Sequence, residues 1–476
     1  MREIQGGSVA ERLADLSGLA GLDVTADSAY AALVSALARE PGGPLLPRVQ
    51  ELADAIERGR RPRARQNLDL LAAYERLERL GRPVNAVAEA APLPARAADG
   101  PLAGRPVGVK DIIAVAGLPT RCGSPASDPA PAAADAPVVA RLRAAGAEVF
   151  ATTQCLEYAA GFAHPDIGDT RNPKDVTRTS GGSSGGSAAL VAAGVCDLAL
   201  GTDTGGSVRI PAAYCGVVGL KPTYGLLPVD GVFPLSASCD HVGTLTATVA
   251  GTEALLTVLA GPGALAAGGK PAPAPGAVPA PTYTLGVLTA QIADPSVTPE
   301  VRAALDAALA ALAEAGWQLR KFSAPWLDDL PAWEHVLSVI VAKEAVLAHQ
   351  GRDTARYAAG TRALLEYGAT VDDAAYAQAR ARRDELTAAI DVSLDGVAAL
   401  AGPTVGFQAP EQDPPFGVGE DSGEGRFTGP YNLSGHPAIS LPVPAAGLPV
   451  GLQLAGRRGG DLDLLLVATA AERAIG

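Results

Sequence analysis

The stretch "RTSGGSSGGSAAL" at residues 178–190 holds four serines and four glycines in thirteen positions. Runs of this kind occur in flexible linkers, in loops that hold a phosphate group and in turns that present a nucleophile. The linker interpretation fails because the run leads directly into a helical segment and lies in the middle of the chain, between structured elements. The phosphate-loop and nucleophile-turn interpretations depend on the exact motif and on the segments that flank it.

Two motifs test those interpretations. Gly181 and Gly186 have the spacing of a P-loop, but Ser187 and Ala188 follow where that loop requires Lys and then Ser or Thr. Residues 181–185, "GGSSG", match the GxSxG pattern of a nucleophile elbow, which requires a strand just before it. The preceding "GDTRNPKDVTRTS" is polar and turn-rich, and this context disfavours an elbow.

A second glycine–serine stretch offers a better nucleophile. In "LGTDTGGSVRIPAAYCGVVGLKPT", residues 200–223, an apolar run ends at Thr204-Gly205-Gly206-Ser207. Glycines before a serine let backbone N–H groups turn toward one point, as an oxyanion hole requires. Ser207 is therefore the candidate nucleophile, and Asp203 and Arg209 on either side of it are expected to support its loop.

The base that activates a serine need not be histidine, since Ser–Lys pairs exist. The chain has 32 arginines but only six lysines, so a retained lysine suggests a need for a side chain that can lose its proton. Lys110 lies in the apolar run "PVGVKDII", where desolvation favours the neutral amine. Taken alone, the same residue also fits a strand end with its ammonium group in water.

The combination of motifs resembles the amidase signature family. The stretches that carry the resemblance are "GVKD" at 108–111, "GGSSGGSAA" at 181–189, "GTDTGGSVRIPA" at 201–212, "YNLSGHPAISLP" at 431–442 and "LPVGLQLAG" at 448–456. It extends from about residue 50 to the end of the chain. The resemblance implies a large mixed sheet flanked by helices and a Ser–cisSer–Lys triad, without a cofactor.

Carried onto this chain, the resemblance makes Ser207 the nucleophile, Ser183 the bridging serine and Lys110 the base, with a cis Gly182–Ser183 bond. The oxyanion hole would be formed by the backbone N–H groups of Thr204, Gly205, Gly206 and Ser207. Ser184 and Ser187 are expected to be structural hydrogen bonders, and Asp240 in "SASCDHVG" a residue that caps its own loop.

Composition excludes several classes of protein. The net charge of −13 argues against nucleic acid as a partner. No apolar run is long enough for a membrane span, and the first residues lack the apolar core of a signal peptide, so we expect a cytoplasmic protein. Five scattered histidines and five cysteines without a CxxC spacing predict no metal site and reduced, mostly buried thiols.

Alternating strand and helix patterns predict an α/β fold: a single large domain over 47–476 with an additional helical extension over 1–46. The predicted elements include strands at "RPVGVKDII", "EVFATT" and "DLALGTD", and helices at "DAPVVARLRAAGA" and "SAALVAAG". The Pro/Ala/Gly-rich residues 261–282 are expected to form a surface connection.

The substrate pocket is expected to draw on residues 152–162, 228–240 and 331–345. Its candidate lining residues are Leu156, Tyr158, Phe162, Phe233 and Trp333, which provide apolar surface for an aryl or alkyl group. The sequence thus predicts a monomeric or homodimeric amidase acting on small amides through an acyl-enzyme, with esters and carbamates (urethanes) as further substrates. The alternative function is hydrolysis of glutamine within a tRNA-dependent amidotransferase complex.

Two observations argue against the amidotransferase function. Residues 350–385 depart from the "EVKRRIMLGTY"-like segment expected of such an amidotransferase component, and few positive charges are available to hold the free carboxylate of glutamine. A catalytically inactive scaffold is a further alternative, which the intact Lys110, Ser183 and Ser207 disfavour.

Overall fold

The computed structural model describes residues 64–92, 99–261, 264–265, 283–414 and 423–476. Its strands are β1 (Val87–Ala90), β2 (Pro106–Lys110), β3 (Glu148–Thr153), β4 (Arg171–Asn172), β5 (Asp175–Thr179), β6 (Leu198–Asp203), β7 (Val218–Lys221), β8 (His241–Thr246), β9 (Thr284–Leu288), β10 (Gln318–Phe322), β11 (Ala399–Pro403), β12 (Ala438–Val443) and β13 (Val450–Ala455).

The helices of the described ranges alternate with these strands for most of the chain. They are α1 (Ala64–Arg76), α2 (Pro137–Ala144), α3 (Gly185–Ala192), α4 (Arg209–Cys215), α5 (Val249–Ala260), α6 (Thr289–Ile292), α7 (Pro299–Glu314), α8 (Leu330–Ala348), α9 (Ala359–Thr370), α10 (Asp373–Ser393), α11 (Gly429–Leu433) and α12 (Asp461–Ile475). A π-helical turn, Leu77–Gly81, continues α1, and short 3₁₀ turns lie at Glu157–Ala159 and Pro325–Asp329.

Eleven of the described strands form one sheet in the order β1-β3-β2-β6-β8-β7-β12-β13-β11-β9-β10. Strand β2 pairs in parallel with β3 and β6, whereas the pairs β6–β8, β8–β7, β7–β12 and β12–β13 are antiparallel. The sheet is therefore mixed, and helices flank it. This confirms the predicted α/β fold.

The strands predicted near the candidate site occur where their patterns place them. The run "LALGTD" forms β6 and is buried at every position, as expected of a continuous apolar run in the middle of a sheet. "SAALVAAG" lies in α3 and its following turn, and "EVFATT" forms β3. Helix α7 begins where Thr298 accepts a hydrogen bond from the Val301 N–H, with Pro299 in the first turn.

The direction of β2 and β6 positions the candidate site. Because these neighbouring strands are parallel, their carboxyl ends lie at the same edge of the sheet, where α/β folds place their ligand sites. Lys110 is the last residue of β2, and Asp203 is the last residue of β6. The loop that carries Ser207 therefore starts beside Lys110.

Some predictions lie wholly or largely outside the described residues. The helical extension over 1–46 and most of the connection over 261–282 fall there, so the domain boundaries stay predictions. Within the described residues, every helix is too short or too polar to cross a membrane.

Candidate active site

Three segments that are distant in sequence bring Lys110, Ser183 and Ser207 together. Lys110 ends β2, Ser183 lies in the loop before α3, and Ser207 follows β6. Lys110 Nζ lies 2.7 Å from Ser183 Oγ and 2.7 Å from Thr202 Oγ1. Ser183 and Ser207 line the same cavity. The arrangement places a buried amine within hydrogen-bond distance of one serine hydroxyl, at a cavity that the second serine also lines.

The environment of Lys110 favours its neutral form. The side chain is fully buried, and desolvation lowers the pKa of its amine to about 8, against the opposing effect of the Asp203 and Asp240 carboxylates. A lysine with this pKa can accept a proton near neutral pH, which an ordinary surface lysine cannot do. Lys110 does lie at the end of β2, but its amine is buried, so the expectation of an ammonium group in water is wrong.

The glycines of the 178–190 stretch allow tight packing around Ser183. The Gly182–Ser183 peptide bond is cis, and Gly181 has a φ of 74°. A Cβ on Gly182 would lie 2.2 Å from Leu156 Cδ1, and one on Gly181 would lie 2.6 Å from Tyr214 Cδ2. Side chains at these positions would force the loop away from its neighbours, so the glycines are required for the loop to lie where it does.

The loop of residues 204–207 presents unpaired backbone donors. Among the hydrogen bonds of the described residues, none uses the N–H groups of these four residues. Thr204, Gly205 and Ser207 line the cavity with Ser183. Gly206 has a φ of +140°, and a Cβ there would lie 2.3 Å from Thr428 Oγ1. Because unpaired N–H groups at a cavity are costly without a partner, they are suited to an oxygen that carries negative charge.

A buried ion pair supports this loop, as predicted for Asp203 and Arg209. Arg209 Nη2 donates to Asp203 Oδ1 at 2.9 Å, and Nε donates to Oδ2 at 3.0 Å. Asn432 donates to Asp203 Oδ1, and Arg209 also donates to Gln453 Oε1 and to the Thr428 carbonyl. Burial alone would raise the pKa of Asp203, but the Arg209 guanidinium, the Asn432 hydrogen bond and the charge of Lys221 together hold that pKa well below its ordinary range.

Removing the cation should strongly destabilise the protein. In Arg209→Met the Asp203 carboxylate remains buried without its main partner, so we expect a loss of about 3–5 kcal/mol in the free energy of unfolding. Urea denaturation would measure this loss. The pKa of Asp203 is lower in the folded state than in the unfolded state. The stabilisation of the folded protein by the ionised Asp203 is therefore complete above the unfolded-state pKa, and it declines as the pH falls below that pKa.

A matched control is Arg82→Met. Arg82 pairs with Glu78 at 2.7 Å on the surface, and its side chain is 46% exposed, so its removal should cost about 1 kcal/mol or less. Equal losses in the two variants would contradict a supporting role for the buried pair.

Asp240 holds two walls of the cavity. It accepts hydrogen bonds from Thr204 Oγ1 at 2.6 Å and from the backbone N–H groups of Leu235 and Ser236. Burial raises the pKa of Asp240 to about 6, although these hydrogen bonds oppose the shift. The expected loop-capping role agrees with these contacts, and Asp240 in addition fixes Thr204.

The predicted pocket residues separate into two groups. Leu156 lines the cavity beside Ser183 and Ser207. Tyr158 and Phe233 pack against each other instead, with ring centroids 4.8 Å apart, and the Phe162 ring lies against Gly360. Trp333 is buried in α8, where its Nε1 donates to the Trp326 carbonyl. These four aromatic residues are not among the cavity-lining residues.

The cavity also includes residues that the sequence did not single out. Its lining residues are Leu156, Ala159, Gly161, Gly182, Ser183, Thr204, Gly205, Ser207, Ile210, Leu235 and Glu424, and none of them is Arg or Lys. Burial raises the pKa of Glu424 to about 8, and the Tyr214 hydroxyl donates to its carboxylate. The wall is therefore mainly apolar, with one acidic group.

Other residues that the sequence did not indicate contact Lys110 or the Asp203–Arg209 pair without lining the cavity. Thr202 contacts Lys110, and Asn432 and Gln453 contact the Asp203–Arg209 pair. The motifs "YNLSGHPAISLP" and "LPVGLQLAG" contain the last two, but sequence separation hides which residues they contact. Among the described residues, no group of three or more His, Cys, Asp or Glu side chains is arranged to hold a metal ion.

Comparisons with known proteins identify the family of this chain. The Amidase family matches residues 81–465. A glutamyl-tRNA(Gln) amidotransferase component of Symbiobacterium thermophilum is 35% identical over 79% of this chain and 83% of that protein. A crystal structure of an amidase superposes with a TM-score of 0.75 at 34% identity, covering 86% of this chain and 96% of that one.

A third similar protein is 6-aminohexanoate cyclic dimer hydrolase in complex with its substrate. Its TM-score is 0.74 at 29% identity, over 86% of this chain and 94% of that chain. The family match spans most of the chain and includes the β2, α3 and β6 segments that hold Lys110, Ser183 and Ser207. The chain therefore belongs to the amidase signature family, whose members act on carbon–nitrogen bonds.

Proposed function

We propose that this chain hydrolyses carboxamides through an acyl-enzyme on Ser207. The observation that carries the proposal is the buried Lys110 amine, 2.7 Å from Ser183 Oγ at a cavity that Ser207 also lines. Neutral Lys110 takes a proton from Ser183 as Ser183 takes one from Ser207, and Ser207 attacks the carbonyl carbon. The N–H groups of residues 204–207 stabilise the oxyanion that develops.

The second half of the reaction needs the same groups. Ser183 returns a proton to the departing nitrogen, which leaves as an amine or ammonia, and water then hydrolyses the acyl ester of Ser207. A nitrogen leaving group must be protonated, whereas an alkoxide or phenoxide ester leaving group needs less help. The mechanism thus extends to esters and carbamates, with amides most dependent on Ser183.

Ser183→Ala should therefore reduce amide turnover more than ester turnover. We expect the amide rate to fall by about 10²–10⁴-fold, the usual contribution of a positioned proton donor, and the matched ester rate by clearly less. The measurement is kcat/KM for an amide and an ester of the same acyl group. Thr257→Ala is the control, because Thr257 lies at an exposed position in α5 and its hydroxyl donates to the Glu253 carbonyl, away from the candidate site. Equal losses for both substrates in Ser183→Ala would argue against the proton-return step.

Glutamine is the amide that similarity to known proteins favours. The similar protein of Symbiobacterium thermophilum is named as one component of a glutamyl-tRNA(Gln) amidotransferase. By that likeness, we infer that the chain releases ammonia from glutamine within a larger assembly. The favoured function is thus that of an amidotransferase-type glutaminase, with Ser207 as its nucleophile.

A small aryl or alkyl amide is the second candidate substrate. The observation in its favour is the cavity wall, which is mainly apolar and carries no Arg or Lys to pair with the free carboxylate of glutamine. In this case the chain acts alone, and aryl carbamates are further substrates. The likeness to 6-aminohexanoate cyclic dimer hydrolase, whose name denotes a hydrolase, supports this candidate.

One assay separates the two candidates. The purified chain would be tested alone against glutamine, a nitroanilide and an aryl carbamate, with Ser207→Ala as the blank. Ammonia release from glutamine without anilide or carbamate turnover would support the amidotransferase function. Anilide turnover without glutamine hydrolysis would support the small-amide function. No Ser207-dependent turnover of any amide would contradict amide hydrolysis by the chain alone.

A further inference from the structure

A second cleft lies apart from the candidate active site. It has a volume of about 880 Å³ and runs beside α10, with Arg380, Arg383, Arg457, Arg458, Ser238 and Tyr224 among its lining residues. We call it the arginine cleft. It shares no lining residue with the cavity that contains Ser183 and Ser207. Four arginines and two aspartates, Asp384 and Asp391, line it, in a chain whose net charge is −13.

One end of the arginine cleft is already neutralised by the protein. Arg458 pairs with Asp391 at 2.6 Å, and Arg457 pairs with Asp395 at 3.1 Å. These contacts leave no excess of positive charge at the end formed by the loop between β13 and α12.

The other end has cations without adequate partners. The Arg383 side chain is only 15% exposed, and its ion pair among the described residues is with Asp384 at 3.9 Å, a side chain that is 80% exposed. Its guanidinium makes no hydrogen bond with described residues. The Arg380 side chain is exposed to solvent, and its guanidinium lies over the Tyr376 ring, 5.8 Å from its centroid, without a carboxylate partner in the described part of the chain. Because protein covers most of the Arg383 side chain while its guanidinium has no close acceptor among the described residues, an anion beside it would gain more than at a fully exposed arginine.

The nearby carboxylate of Glu344 is committed elsewhere. It accepts hydrogen bonds from Ser236 Oγ, from the N–H and Oγ of Ser238 and from the Tyr376 hydroxyl. These four donors hold it between α8, α10 and the loop before β8. It therefore leaves the guanidinium donors of Arg380 and Arg383 available to a ligand.

We propose that the arginine cleft binds a small molecule through an oxyanion, either a phosphate or a carboxylate group. Arg380 and Arg383 are three positions apart on α10 and lie on the same side of the helix, where both line the cleft. The planar guanidinium offers paired N–H donors that match the oxygens of such groups. The cleft volume is within the range of sites for small organic ligands.

The experiment is a calorimetric titration of the full chain with inorganic phosphate and, separately, with citrate at constant ionic strength. We expect saturable binding of at least one probe, and the comparison of the two distinguishes a phosphate site from a carboxylate site. Arg380→Ala combined with Arg383→Ala should weaken binding about tenfold or more, as the loss of charged hydrogen bonds predicts. Arg383→Gln, which keeps most of the side chain's packing, should weaken it in the same direction.

Arg382→Ala is the matched control on the same helix. Arg382 pairs with Glu385 at 2.5 Å, lies over the Trp333 ring and does not line the cleft. This variant should bind as the parent chain does. The absence of saturable binding of both probes, or unchanged binding in the Arg380 and Arg383 variants, would overturn the proposal. The proposal would also be overturned if the chain bound transfer RNA but neither probe, and if the Arg380 and Arg383 variants abolished that binding. The cleft would then bind a polyanion.

Discussion

Ser207→Ala should lower kcat/KM for any amide substrate by about 10⁴-fold or more, because it removes the atom that forms the acyl-enzyme. The same variant should no longer be labelled by a fluorophosphonate or a sulfonyl fluoride. Both effects follow from the position of Ser207 on a loop with unpaired N–H groups among the described residues, at the cavity that it shares with Ser183. Steady-state kinetics and mass spectrometry of the labelled protein would measure them.

The informative comparison for this prediction is Ser183→Ala. If Ser183 only transfers protons, Ser207 in the Ser183→Ala variant should still react slowly with the fluorophosphonate or the sulfonyl fluoride. Labelling that persists in Ser207→Ala and disappears in Ser183→Ala would reverse the two roles. Circular dichroism should show both variants folded, since the Ser207 side chain is only partly buried and the Ser183 hydroxyl contributes one contact to Lys110.

Lys110→Arg should be about as damaging as Lys110→Ala, with a loss of about 10²–10⁴-fold in kcat/KM. Arginine keeps the positive charge but cannot act as a base, since it stays protonated at any pH at which the protein is folded. The measurement is kcat/KM for the two variants on one amide. Lys321→Arg, at an exposed position in β10, is the control and should leave the rate unchanged. An arginine variant at position 110 with a near-normal rate would contradict the base role.

The pH profile tests the same proposal without a mutation. The reaction needs neutral Lys110, whose pKa burial lowers to about 8, so kcat/KM should rise with pH up to about 8 and then level off. Asp240, with a pKa raised by burial to about 6, and Lys221, with a pKa lowered by burial to about 7, also titrate in this region. Glu424 at the cavity wall, with a pKa raised by burial to about 8, titrates at the same pH as Lys110. Persistence of the rise near pH 8 in Glu424→Gln, as well as in Asp240→Asn and Lys221→Met, would assign it to Lys110. A profile that falls between pH 6 and 8 would contradict a neutral lysine base.

Sequence patterns were sufficient for the elements that hold the candidate site. Apolar runs bounded by glycine and proline located β2, β3 and β6, because a strand buried on both faces requires such a run. The resemblance that the three motifs carry pointed to Lys110, Ser183 and Ser207 as the candidate triad. The flanking pair Asp203 and Arg209 could be found in the same way, since the two residues lie at the ends of one short loop and contact each other.

Only the tertiary structure decided what surrounds those residues. Tyr158 and Phe233 belong to segments that were expected to line the pocket, but their rings pack on each other and on His349, and Tyr158 also packs on Tyr357. The centroids of these pairs are 4.8–5.1 Å apart. Aromatic rings gain most from burial against each other, and apolar character alone cannot show whether a ring faces a cavity or a core.

Sequence patterns likewise cannot show which polar residues reach the candidate site. Glu424 reaches the cavity, and Thr202 reaches Lys110, through contacts between segments that no local pattern connects. The chain by itself therefore indicated an α/β fold, the buried strands near the site and the candidate catalytic residues, whereas the order of the strands came from the structure. Packing between distant segments decided the lining of the cavity, the low pKa of Lys110 and which arginines of the second cleft have carboxylate partners, because burial and charge compensation depend on neighbours that only folding brings together.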